Sequence, residues 1–126
     1  MIDDYFAQIE QVIHAFPFVQ SSTLTKKRYN AKQGYIRGSL LFSSGHRLEF
    51  VEVKDVDHPG KIKYRYQYLD GQDGHIFRYD NAPHHSGLTT FPHHKHLGPD
   101  ISESAEPTLF DVLLEIAQRE RMTPDD

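Results

Sequence analysis

Five of the chain's nine histidines fall between residues 84 and 96: His84 and His85 in "APHHS", then His93, His94 and His96 in "FPHHKH". An unperturbed imidazole titrates at about pH 6.5, so neighbouring rings can hold opposite protonation states at neutral pH. One ring removing a 2′-hydroxyl proton while another protonates the leaving oxygen is the division of labour that RNA cleavage needs. His84 or His85 with His94 or His96 is the expected acid–base pair. Lys95 and Arg78 supply positive charge for the phosphoryl group, Tyr79 offers an orienting hydroxyl, and Asp80 a carboxylate that fixes a histidine tautomer. No metal or cofactor is required by this chemistry.

The same segment also reads as a ligand set. If the second cluster is extended, His94 and His96 project to one side; if it forms a helical turn, His93 and His96 do. His84, His94 and His96 would then hold zinc or another transition ion. No H-E-x-x-H or comparable spacing accompanies them, and Asp80 and Asp100 are the only nearby carboxylates. A third reading makes the histidines turn-capping loop residues of a non-enzymatic interaction module that meets an acidic partner.

An RNA-cleaving site needs a basic approach surface. The formal net charge of −4 conceals a segment, residues 20–48, with six bases and no acid, while residues 100–126 carry eight acids and two bases. Lys26, Lys27, Arg28, Lys32 and Arg37, with Tyr29 and Tyr35, and Lys63 and Arg65 further on, are the candidate RNA contacts. The early basic residues have a structural reading as well, because charge on an edge strand prevents pairing with another molecule. Tyr64, Tyr66 and Tyr68 alternate with Lys63, Arg65 and Gln67, which assigns the tyrosines to a buried face. His14, His46, His58 and His75 receive no role.

These residues must be positioned by a small scaffold. The length of 126 residues predicts a single domain over 1–126. The absence of cysteine excludes disulfides and thiolate-bound zinc and fits a reducing compartment. No basic leader or bilayer-length apolar run is present, which predicts a cytoplasmic protein without a membrane partner. Ile2, Tyr5, Phe6, Ile9, Val12, Ile13 and Phe16 recur at helical spacing over residues 2–16, and Pro17 stops that helix. The period then becomes two. Residues 22–81 contain five strands, "STLTKKRYN", "YIRGSLLFS", "HRLEFVEVKDV", "KIKYRYQYL" and "HIFRYDNA", separated by short Gly-bearing connections. Residues 82–107 read as an irregular His-rich loop. A second helix follows over 108–121, with a Thr108 cap, Asp111 three residues on, and a stripe of Leu109, Val112, Leu113 and Ile116. The tail "TPDD" is expected to fray. The fold class is therefore α+β, a five-stranded antiparallel meander covered on one face by an N-terminal and a C-terminal helix.

The stretches "YRYQY" (64–68), "FRYDNAPHH" (77–85) and "FPHHKH" (91–96), with Ser104, Pro107, Leu109 and the run 112–116, resemble the TumE family of proposed toxins from prokaryotic toxin–antitoxin pairs. "GSLLFSSGHRLEFVEV" (38–53) extends the resemblance over nearly the whole chain. It implies a small intracellular protein made beside a DNA-binding antitoxin whose contact keeps it inactive. It supplies no catalytic set. Arg78, Tyr79, Asp80, His84, His85, His93, His94, Lys95 and His96 match its motifs, and their roles come from the chemistry above. Toxin context favours RNA cleavage, since cutting RNA halts growth. Nucleotide transfer onto RNA would want a carboxylate-bound magnesium site, for which no clear candidate stands in the sequence. The expectation is a toxin acting as a metal-independent endoribonuclease, with RNA as substrate, a cognate antitoxin as partner and homodimerisation open.

Overall fold

The computed structural model describes residues 1–122, and the expected fraying of residues 123–126 lies outside them. Helix α1 (Ile2–His14) forms because Ile2, Phe6, Ile9 and Ile13 fall on one buried stripe. Helix α2 (Leu109–Met122) buries Leu109, Val112, Leu113 and Ile116 in the same way. Its start carries the reciprocal cap expected from sequence: the Asp111 N–H donates to Thr108 Oγ1 at 3.1 Å, and the Thr108 N–H to Asp111 Oδ2 at 2.9 Å. No helix among the described residues is long and apolar enough to cross a membrane.

Seven strands lie between the helices: β1 (Val19–Arg28), β2 (Gln33–Phe42), β3 (Arg47–Asp55), β4 (Lys63–Leu69), β5 (His75–Asp80), β6 (His94–Leu97) and β7 (Asp100–Glu103). They form one antiparallel sheet in chain order. The meander and its two helices are as expected, but the strand count is corrected from five to seven. Part of the expected loop folds into the β6–β7 hairpin. Its turn is carried by Gly98 at φ 59°, the positive value that a two-residue hairpin connection requires at its first central position. That hairpin holds the sheet edge mainly through its backbone ladder, since Leu97 and Ile101 are exposed.

Period two divides the sheet into two faces. Ile36, Leu40, Leu48, Phe50, Tyr64, Tyr66, Tyr68 and Phe77 are buried on the face that α1 and α2 cover, so the tyrosine row is core. That side also holds Glu52, which accepts hydrogen bonds from the Tyr66 hydroxyl at 2.5 Å and from Tyr5 of α1. Buried Lys61 donates to the Pro107 carbonyl at 2.6 Å and pairs with Glu106 at 3.2 Å, tying the approach to α2 to the start of β4. No described helix covers the second face. There the register sets out one row of Thr25, Arg37, Val51, Arg65, Asp80, His94 and Glu103, and beside it Thr23, Ser39, Glu49, Gln67, Arg78, His96 and Ile101.

Candidate active site

Strands β5 and β6 bring the two ends of the histidine-rich stretch together. Arg78 pairs with His96 and Asp80 with His94 across the ladder. All four side chains therefore stand on the uncovered face, and the turns of residues 81–93 place His85 against them. The ring centroids of His85 and His94 are 4.8 Å apart, those of His94 and His96 4.8 Å, and those of His85 and His96 5.8 Å.

Asp80, 5% exposed, is the hub of this cluster. Its Oδ1 lies 2.8 Å from His94 Nε2 and accepts the Ala82 N–H at 3.0 Å. Its Oδ2 accepts from Arg78 Nε at 2.8 Å and lies 3.8 Å from His96 Nε2. A carboxylate so deeply buried is tolerated because donors surround it.

The two rings of β6 meet different partners. His94, 1% exposed, directs Nδ1 to the Pro92 carbonyl at 2.9 Å and Nε2 to Asp80. Both partners are acceptors. His96 Nε2 lies 2.9 Å from a terminal nitrogen of the Arg78 guanidinium, a group that can only donate, so this nitrogen carries a lone pair and the ring is neutral. Burial, and then the charge of Arg78, hold His96 below the ordinary histidine value. His94 and Asp80 are closed to solvent, whereas His85, His96 and Arg78 are half-buried and accessible.

The trio also offers a metal-ligand set, since nitrogens of His85, His94 and His96 lie within 4.8 Å of one another. His85 takes the place expected for His84. As a ligand, His94 would release either Pro92 or Asp80, and the Arg78 guanidinium would stand beside the ion. The donor types fit a transition ion.

Other sequence candidates lie apart from this cluster. Lys95 and Tyr79 project to the helix-covered face, as strand alternation dictates. Lys95 pairs with Glu115 of α2 at 2.8 Å and lies over the Tyr79 ring, whose hydroxyl donates to the same carboxylate at 2.5 Å. Burial pushes the Glu115 carboxyl up, but hydrogen bonds from Lys95 and Tyr79 outweigh it and hold that group below its usual value. His93 stacks on Tyr64 and has Nδ1 2.9 Å from its hydroxyl. His84 is exposed, and its ring meets no partner among the described residues.

The expected RNA contacts divide by face. Lys27, Tyr35, Arg37, Lys63 and Arg65 stand on the uncovered side. Lys26 and Arg28 turn to α1 and pair with Glu10 at 2.5 Å and Asp3 at 3.4 Å. Lys32 pairs with Asp57 at 2.8 Å, and exposed Tyr29 packs on Tyr35 with centroids 6.0 Å apart. Sequence reasoning missed Thr23, Thr25, Ser39 and Val51, which share a concavity with Arg37 and Arg65. Only the register of three strands brings them together.

The family model described as Toxin TumE matches residues 9–120. No curated protein and no solved structure matches the chain.

Proposed function

The chain belongs to the TumE toxin family, and from that premise we propose that this toxin of a toxin–antitoxin pair is a metal-independent endoribonuclease using the histidine cluster of β5 and β6. The observation that carries the reading is the meeting of His85, His94 and His96 around the Arg78–Asp80 pair on an uncovered sheet face. Neutral His96 takes the 2′-hydroxyl proton as that oxygen attacks the adjacent phosphorus. The bond from phosphorus to the 5′-oxygen breaks, and protonated His85 gives its proton to the departing oxygen. Arg78, released from His96 as that ring turns to substrate, neutralises charge on the phosphoryl oxygens. Asp80 and His94 are positioning residues that hold Arg78 and His96. The products are a 2′,3′-cyclic phosphate and a 5′-hydroxyl. Dependence on the 2′-hydroxyl restricts the substrate to RNA. The family implies a cognate antitoxin, and the cytoplasm is the proposed site of action.

Removal of an acid or a base costs roughly 10²–10⁴ in rate. His85→Ala and His96→Ala are each expected to lose RNA cleavage on that scale, with circular dichroism and antitoxin binding retained. Growth inhibition undiminished in the double variant would reject catalysis and leave an interaction module. The ligand-like spacing of the three rings favours one second reading, a histidine-bound transition ion. Cleavage that survives chelation, in protein whose metal content is far below one ion per chain, supports the acid–base reading. Activity lost to chelator and restored by zinc moves the function to the metal.

A further inference from the structure

Most basic side chains of this protein are matched with acids. Lys26, Arg28, Lys32, Lys61, Lys95 and Arg119 each pair with a carboxylate. Lys27, Arg37, Lys63 and Arg65 do not. All four are exposed on the uncovered face, and none has a hydrogen-bond or ion-pair partner among the described residues. Arg37 and Arg65 line a concavity of about 410 Å³ together with Val51, which lies between them in the register, and Thr23, Thr25 and Ser39. One carboxylate, Glu49, also lines it, but Arg47 at 3.0 Å and the Ser39 hydroxyl at 3.2 Å already engage that group.

This concavity abuts the histidine cluster. Arg65 is directly across the ladder from Asp80, which is across from His94. Neighbouring strands are about 4.8 Å apart, so the Arg65 and His94 backbones are separated by about 10 Å. On the far side, the next register positions are Lys27, Tyr35, Val53 and Lys63, with Tyr29 packed on Tyr35.

We infer that Arg37, Arg65 and the concavity between them form a subsite for unpaired RNA, which crosses the open face from the Tyr29–Tyr35 pair to His85 and His96. The inference rests on the proposed RNA cleavage and names the form of RNA it takes. Two guanidiniums without partners among the described residues are suited to a phosphodiester, which accepts their fork of donors. Val51 with the small polar side chains of Thr23 and Thr25 suits a base laid into the depression. Exposed Tyr29, packed on half-buried Tyr35, offers a stacking face that only unpaired bases can use, and open sheets bearing aromatics are a recurrent platform for single-stranded RNA.

The test uses the full-length protein and a fluorescent, fully 2′-O-methylated oligouridylate of about 12 nucleotides, which the proposed chemistry cannot cut. Arg37→Ala and Arg65→Ala are each expected to weaken binding about tenfold, and the double variant about a hundredfold. Four phosphate contacts give a slope of log affinity against log salt of about −2.8, and loss of two lowers its magnitude by about 1.4. Arg121→Ala, which removes one charge from α2, is expected to leave affinity within twofold, and thermal melts confirm that the arginine variants fold. Binding by the double variant at wild-type strength and slope overturns the subsite. So does equal affinity for a duplex of the same length, or an arginine effect confined to antitoxin binding. His85→Ala/His96→Ala protein separates the two claims. If it binds the probe normally yet cuts unmodified RNA as wild type does, the cleavage reading fails and the subsite stands; if it cuts nothing and the double arginine variant still binds, the subsite alone fails.

Discussion

His96 is the side chain whose behaviour the surrounding residues define most sharply. Burial lowers its affinity for a proton, Arg78 lowers it further, and Asp80 acts in the opposite sense. Removing either neighbour should therefore move the ring in opposite directions. Arg78→Gln is expected to raise the His96 titration midpoint, and Asp80→Asn to lower it, both read from imidazole carbon shifts by NMR without any activity assay. A midpoint that moves the same way in both variants would mean that repacking, not charge, sets this group. Because the neutral ring is the proton acceptor, the acidic limb of cleavage should lie below the usual histidine value of about 6.5 and shift with the NMR midpoint. The linkage has a definite sign. A histidine depressed in the folded state contributes stability above about pH 6.5, and that contribution is lost as pH falls through the folded value. Asp80→Asn also leaves His94 facing a group that is no longer an anion, so a 10–100-fold loss of turnover with little change in KM is expected of this positioning residue.

At the scale of elements, the β6–β7 hairpin matters most, since it places two of the three rings. Gly98→Ala forces a Cβ into the left-handed region, where nothing crowds it but the backbone itself is strained, at a cost of about 1–2 kcal/mol. A fall of several degrees in melting temperature is expected, with faster amide exchange confined to residues 94–103. Cleavage should fall more than stability does, because His94 and His96 lose register with Asp80 and Arg78; activity tracking only the folded fraction would show that the turn does not position the site. This hairpin is also where the sequence was least legible. Both helices and strands β2 to β5 could be read because each buries one face, and burial imposes a period of 3.6 or 2 on the apolar residues, whereas β1 has only half-buried Val19 and Leu24 to mark it. Residues 94–97 and 100–103 sit at an edge with Leu97 and Ile101 exposed, so no such period marks them. A signal was nevertheless present: "LGPD" offers glycine at the first position of a two-residue turn. The partition of Lys95 from His94 and His96 follows from that strand alone, as it would not from a loop.

For the whole molecule, the cations without partners among the described residues gather on one face of the sheet, although Arg47 and Arg78 of that face are paired with acids. On the helix side Lys26, Arg28, Lys61 and Lys95 pair with acids, and the exposed pairs Lys26–Glu10 and Arg28–Asp3 contribute about 0–1 kcal/mol each and are screened by salt. The uncovered face keeps Lys27, Arg37, Lys63 and Arg65 without partners among the described residues. Sequence composition revealed the basic segment but not this division, because alternate residues of β1 point to opposite faces and only cross-strand pairing shows where the acids lie. The two sides should consequently respond to ionic strength in different ways. Stability rests on the apolar core beneath α1 and α2, so the melting temperature should move by only a few degrees between 50 and 500 mM salt. RNA capture at sub-saturating concentration rests on the open face. With four contacts, kcat/KM should fall by roughly 10²–10³ over the same range, while kcat at saturating RNA stays nearly constant. Parallel losses of melting temperature and kcat/KM would place salt sensitivity in the fold, and salt-independent kcat/KM would remove the open face from substrate capture.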